Sequence, residues 1–105
     1  MDLPQTVNAP ASSGTMTIPM LAGTMMSITP SGACTFNATG GYPGVEVVFI
    51  FTTSGTTSFT MTFGTNLKSS GTLATGTVSG KKFAVVFRSL PDGVTWMEMS
   101  RTTAL

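Results

Sequence analysis

The sequence has no histidine, a single cysteine and very few charges, with five Lys plus Arg against four Asp plus Glu in 105 residues. Charged residues make up 9% of the chain, where soluble domains run at about 25%. With one cysteine (Cys34) and carboxylates scattered at Asp2, Glu46, Asp92 and Glu98, neither the usual metal-ligand sets nor a Ser/His/Asp or Cys/His nucleophile arrangement can be assembled within one chain. No catalytic, metal or cofactor-binding residue is assigned, no cofactor is expected, and an enzyme is not expected. A formal net charge of +1 without a Lys/Arg cluster supplies nothing to neutralise several phosphates, so nucleic acid is not an expected partner. The longest apolar stretch, residues 45–51, is interrupted by Glu46 and falls far short of the ~20 residues that span a bilayer, so no membrane partner is expected either. Met1-Asp2-Leu3-Pro4-Gln5 carries an acid where a signal peptide has its basic region, which predicts no export by that route. A lone cysteine fits synthesis in a reducing cytoplasm and a place as a small core residue.

What is abundant is hydrophobic residues, at 41%, and Ser plus Thr, at nearly a third of the chain. Low charge with high hydrophobicity is the reverse of the disorder signature, so the chain folds. Low charge also costs colloidal solubility, which predicts that partners cover part of the surface. The length predicts one domain, at residues 14–105, preceded by a flexible Pro-, Ala- and Ser-containing arm at residues 1–13.

Strand signals recur about every ten residues, separated by Gly, Pro, Ser and Asn, and helical periodicity is absent. The expected strands are residues 15–20, 24–29, 33–39, 45–53, 59–63, 72–78, 83–89 and 94–101. Pro19 places the first at an edge or a strand end, and Gly76 predicts a bend or bulge. The fold class that follows is all-β: an antiparallel β-sandwich of about eight strands, jelly-roll-like. Residues 45–53 are apolar on both faces, with Val45, Val47, Phe49 and Phe51 on one and Val48 and Ile50 on the other. A strand of that kind is covered on both sides. Trp96 alternates with Met97 and Met99 in the last strand and reads as core, leaving the two methionines on the opposite face. Methionine is over-used at binding surfaces, so Val48, Ile50, Met97 and Met99 form the candidate oligomer interface.

Three motifs read as local structure. The run from Gly76 to Lys82 has the glycine spacing of a phosphate loop short by one and a lysine where the Ser or Thr should be, so a hairpin turn is expected there. Asn37-Ala38-Thr39 is a formal glycosylation sequon in a Thr-rich chain, discounted without an export signal. Glu98 and Arg101 are close enough in sequence to pair.

From about Phe36 onward the chain resembles a β-rich C-terminal module that recurs in structural proteins of tailed bacteriophages. The matching residues are Phe36-Asn37-Ala38-Thr39, Thr52-Thr53-Ser54-Gly55-Thr56-Thr57-Ser58, Thr62-Phe63-Gly64-Thr65-Asn66 and Lys68-Ser69-Ser70-Gly71-Thr72-Leu73-Ala74-Thr75-Gly76-Thr77. Ser79-Gly80-Lys81, Phe83, Phe87, Asp92-Gly93, Trp96, Glu98 and Arg101-Thr102-Thr103-Ala104 complete it, over about two-thirds of the chain. Leu67 and the Leu90-Pro91 step before Asp92 are local departures. The resemblance implies a virion structural protein, found in capsid decoration, head-fibre and tail settings. Because the module makes up most of this chain, the expectation is a capsid decoration (cement) protein on the capsid exterior, synthesised in the host cytoplasm. Its expected partners are itself, as a homotrimer, and the major capsid protein, whose subunits it bridges. Leu3, Pro4, Val7, Met16, Ile18 and Met20 are the candidate capsid-contact arm. The alternative is a receptor- or glycan-binding module of a phage fibre or tail spike, presenting an aromatic platform at Trp96 or Tyr42.

Overall fold

The computed structural model describes residues 11–20 and 25–105, together with the backbone of residues 6–8. Its strands are β1 (Thr6–Asn8), β2 (Gly14–Pro19), β3 (Met25–Ile28), β4 (Cys34–Thr39), β5 (Glu46–Thr52), β6 (Thr60–Phe63), β7 (Leu67–Lys68), β8 (Leu73–Ala74), β9 (Lys82–Ser89) and β10 (Trp96–Arg101). There is no helix among the described residues, so none is long and apolar enough to cross a membrane. The strands form a six-stranded sheet in the order β1-β3-β5-β9-β10-β7 and a four-stranded sheet in the order β2-β4-β6-β8.

The all-β class stands, but the expected antiparallel, jelly-roll-like pairing does not. Among the described residues five strand pairings are parallel: β1 with β3, β3 with β5, β2 with β4, β4 with β6, and β7 with β10. Only β5–β9, β9–β10 and β6–β8 are antiparallel. The reason lies in the connections. From β1 to β9 each strand lies in the sheet opposite its predecessor. From β1 to β6, two layer changes bring the chain back beside the strand it left two elements earlier, running the same way. The Gly- and Pro-rich punctuation therefore makes arches between layers where hairpins were expected. The 90–95 segment does make a hairpin, closed by Leu90 N–H donating to the Thr95 carbonyl at 2.8 Å. Asp92 accepts from the backbone N–H groups of Val94 and Thr95 there, at 2.9 Å each.

Both sheets alternate, and their apolar faces meet in one core. Met16, Ile18, Phe36, Ala38, Met61 and Phe63 come from the four-stranded sheet; Met26, Ile28, Val47, Phe49, Phe51, Phe83, Val85, Phe87 and Trp96 come from the six-stranded one. Phenylalanines bridge the layers: Phe36 lies 5.8 Å from Phe49 with the rings at 76°, and Phe63 lies 5.2 Å from Phe87. Offset and edge contacts of this kind add about 0.5–1.5 kcal/mol per pair beyond area burial. The buried hydroxyls are satisfied. Ser89 accepts from Val45 N–H at 3.0 Å and donates to the Tyr42 carbonyl, while Thr75 accepts from Phe59 N–H at 2.8 Å.

Pro19 is the last residue of β2, and β2 is an edge strand, as its missing N–H requires. Gly76 lies outside any strand with φ +79°, while the register shift among the long strands falls between Glu98 and Ser100 in β10. β7 falls inside the 64–71 segment expected to be a loop, and of the 72–78 strand only Leu73–Ala74 pairs. The expected arm at residues 1–13 is tied to the body where it is described. Thr6–Asn8 pairs along β3, and the Ser12 carbonyl accepts from Ser31 N–H at 2.8 Å.

Candidate functional site

The larger sheet has one face on the core and one outside, and the outer face is where its residue types are unusual. In β5 the outward positions are Glu46, Val48, Ile50 and Thr52; in β9 they are Lys82, Ala84, Val86 and Arg88. Strand register sets them in rows. Met25, Val48 and Val86 stand side by side, then Ser27, Ile50 and Ala84, and Glu46 lines up with Arg88 and Met97. Val48, Ile50, Ala84 and Val86 are half-buried by their neighbours in the sheet, while Met25, Met97 and Met99 are exposed at 38%, 44% and 56%. The result is an apolar centre between two polar ends. At one end Arg88 pairs with Glu46 at 3.3 Å; at the other Lys82 Nζ donates to Thr52 Oγ1 at 2.9 Å. Met99 is the extra residue at the β10 register shift, the device by which a strand re-aims a side chain.

The four-stranded sheet is the opposite. Its strands contain no charged residue, and its outer face carries Thr15, Thr35 and Thr62 in one row and Thr17 beside Asn37 in the next. Asn37 is structurally engaged, since its Oδ1 accepts from Thr65 N–H at 2.7 Å.

Glu98 and Arg101 close one side of the sandwich. The guanidinium donates to Glu98 Oε1 at 2.5 Å and to the carbonyls of Gly71 and Thr72, and its centre lies 5.8 Å from the Phe63 ring. The carboxylate also accepts from Ser70 N–H and Ser70 Oγ. Burial on its own pushes the Glu98 carboxyl up, but the hydrogen bonds from Arg101 and Ser70, with the Arg101 charge, outweigh it and hold the group below its ordinary value. This unit ties the segment between β7 and β8, which crosses from one sheet to the other, onto β10. Its role is structural.

Of the expected interface, Val48 and Ile50 share the outer face with Met97, and Met99 is exposed beside it; the structure brings these four to one side of the molecule. Sequence reasoning missed Met25, Ala84 and Val86 as members of that surface. Ala84 and Val86 already face away from Phe83, Val85 and Phe87 by alternation, but nothing in the sequence states that β9 lies beside β5. The expected capsid-contact arm fares differently. Met16, Ile18 and Met20 are buried at 6%, 0% and 2% and pack in the core, so they are not contact residues of a free arm. Inward alternation in β2 is the cause. Leu3 and Pro4 lie outside the described residues, as does the Val7 side chain. Trp96 is fully buried, with Nε1 donating to the Gly40 carbonyl at 3.2 Å, so it offers no stacking platform; Tyr42 is 65% exposed. Among the described residues no three His, Cys, Asp or Glu side chains come together in a way that would hold a metal ion.

Comparison with protein-family models, with curated proteins and with solved structures finds no match to this chain.

Proposed function

We propose that the protein is a structural module of a tailed-bacteriophage virion, a capsid decoration protein that self-associates and seats on the assembled shell. The observation that carries the assembly half of this reading is the outer face of the larger sheet, where Val48, Ile50, Ala84, Val86 and Met25 make an apolar centre and Met97 extends it into the row of Glu46 and Arg88. Covering such a face is favourable at about 25 cal/mol per Å² of apolar surface removed from water. The virion setting rests on the resemblance of residues 36–104 to the phage module. The mechanism is thermodynamic: a protein that binds the assembled shell and not its separated subunits stabilises the shell by mass action, and a homotrimer seats through three contacts at once. The glycan-binding alternative has less support, because the one tryptophan is buried and Tyr42 stands as a single exposed ring.

The test has two measurements. Light scattering across a dilution series should give the trimer mass or a multiple of it for the wild type and a smaller species for Met97→Lys. Purified heads should bind the wild type and resist heat better with it, while isolated capsid subunits should not bind. A mass unchanged by Met97→Lys, or equal binding to free subunits, overturns the reading.

A further inference from the structure

Among the described residues the two sheets have four edge strands, and three of them are short: β1 has three residues and β7 and β8 two each. The fourth, β2, runs for six residues, and no described strand lies on its far side. Proteins blunt long edges with charges, prolines or bulges. β2 carries one of these, Pro19, at its last residue, with no charge or bulge before it; its exposed side chains are Thr15, Thr17 and Pro19.

Its hydrogen-bonding polarity can be read directly. Gly14 N–H donates to the Ala33 carbonyl at 2.8 Å, and Met20 N–H donates to the Thr39 carbonyl at 2.9 Å. In a parallel ladder the residues that bond one neighbour alternate with those that face away. Gly14, Met16, Ile18 and Met20 therefore spend their backbone groups on β4, while Thr15, Thr17 and Pro19 turn theirs outward. Thr15 and Thr17 present both N–H and C=O; Pro19 presents only C=O.

We propose that β2 is a two-fold pairing edge, on which β2 of a second copy of this chain docks antiparallel and joins the two four-stranded sheets into one. The outward groups select the register. With the two Met16 residues opposite each other at the two-fold axis, Thr15 faces the second copy's Thr17, and each pair exchanges two hydrogen bonds. Ser13 then meets the second copy's Pro19, whose carbonyl accepts and whose missing N–H falls at the end of the ladder. Centring on Thr17 would set Pro19 against Thr15 and leave the Thr15 carbonyl without a donor. Centring on Thr15 carries Pro19 past the start of the opposing strand. The edge is also free of charge, as a two-fold contact needs, since any charge near the axis meets its own copy. This pairing uses a different part of the molecule from the apolar outer face of the larger sheet and does not depend on the reading above.

Thr17→Pro is the discriminating variant. The Thr17 N–H is not used by β4, so proline there removes an outward donor only, as Pro19 already does two residues on. Sedimentation velocity across a dilution series should show that Thr17→Pro halves the mass of the largest species while its circular dichroism stays that of the wild type. Val48→Lys, on the other sheet, should leave the two-fold dimer in place. Amide exchange gives a readout that needs no edge variant: in dimeric Val48→Lys the Thr15 and Thr17 amides should be protected, and dilution to monomer should release them. The proposal is overturned if Thr17→Pro keeps the wild-type mass, if those two amides exchange freely in the associated protein, or if Val48→Lys is monomeric at every concentration.

Discussion

Trp96 and Gly41 are in contact that leaves no room for a side chain on the glycine. A Cβ on Gly41 would lie 2.7 Å from Trp96 Cζ2 and 2.9 Å from the Gly93 carbonyl oxygen, at a φ of +135°. The loop at residues 40–44 thus closes over the indole, and the Gly40 carbonyl takes its N–H. Gly41→Ala should cost roughly 2–4 kcal/mol, combining overpacking with a backbone conformation that alanine avoids. Urea unfolding followed by Trp96 emission measures it. A shift of that midpoint with unchanged slope is the expected result, and a wild-type midpoint would mean that the loop is free to move off the ring.

The Glu98–Arg101 pair gives the fold an acid-sensitive fastening. The Glu98 carboxyl sits below its ordinary value in the folded protein, so it contributes stability that is complete above the unfolded value of 4.5 and is lost as pH falls through the lower folded value. Glu98→Gln should remove about 1–3 kcal/mol near neutral pH, since it leaves a mostly covered guanidinium without its anion. It should also flatten the fall in stability below pH 4.5. Chemical denaturation at a series of pH values tests both, and a Gln variant with the wild-type acid slope would assign that slope to other carboxylates.

Val86 tests a part of the surface that the sequence left unassigned. Flanked by Val48 and half-buried on the outer face, away from the core, it can be replaced by lysine without opening the core, so Val86→Lys should change stability by no more than about 0.5 kcal/mol. Its effect should appear in the solution mass, which should fall as for Met97→Lys. A Val86→Lys protein that loses stability and keeps its mass would place Val86 in folding and outside assembly.

The contrast between Val86 and Met16 shows where the sequence is legible. Alternation assigns each residue to a face, which is why Phe36, Phe49, Phe63, Phe87 and Trp96 are readable as core and Val48, Ile50 and Met97 as its opposite. The same alternation in β2 points Met16 and Ile18 inward, and the arm reading overrode it. Strand direction is a different matter. A residue pattern of period two is the same whether the neighbour runs parallel or antiparallel, so the sequence does not separate an arch from a hairpin. For that reason the pairing of Thr15 with Thr35 in β4, parallel and two elements away, was not foreseen, nor was the adjacency of β5 and β9 that sets Val86 beside Val48. β7 was unreadable because two residues carry no period at all, and at β8 the expected strand 72–78 overran the two residues that pair.

Cys34 reports on the joint between the Ser12 segment and β4. Its side chain is 2% exposed, and the S–H points to the carbonyls of Ser12 and Gly32 at 3.4 and 3.5 Å. Burial pushes the thiol up from its ordinary 9.0, so the folded protein holds it protonated through neutral and mildly basic pH. A disulfide reagent at pH 8 should therefore leave the native protein unmodified and react fully once denaturant unfolds it. The same shift makes stability fall with alkali. The unfolded chain ionises first, so the loss begins as pH rises through 9.0 and is complete above the higher folded value. Cys34→Ala should remove that alkaline step while leaving the acid limb set by Glu98 in place. Fast labelling of native protein with its β signature intact would show instead that residues 11–14 leave β4 without global unfolding, and would make that segment the first part of the fold to open.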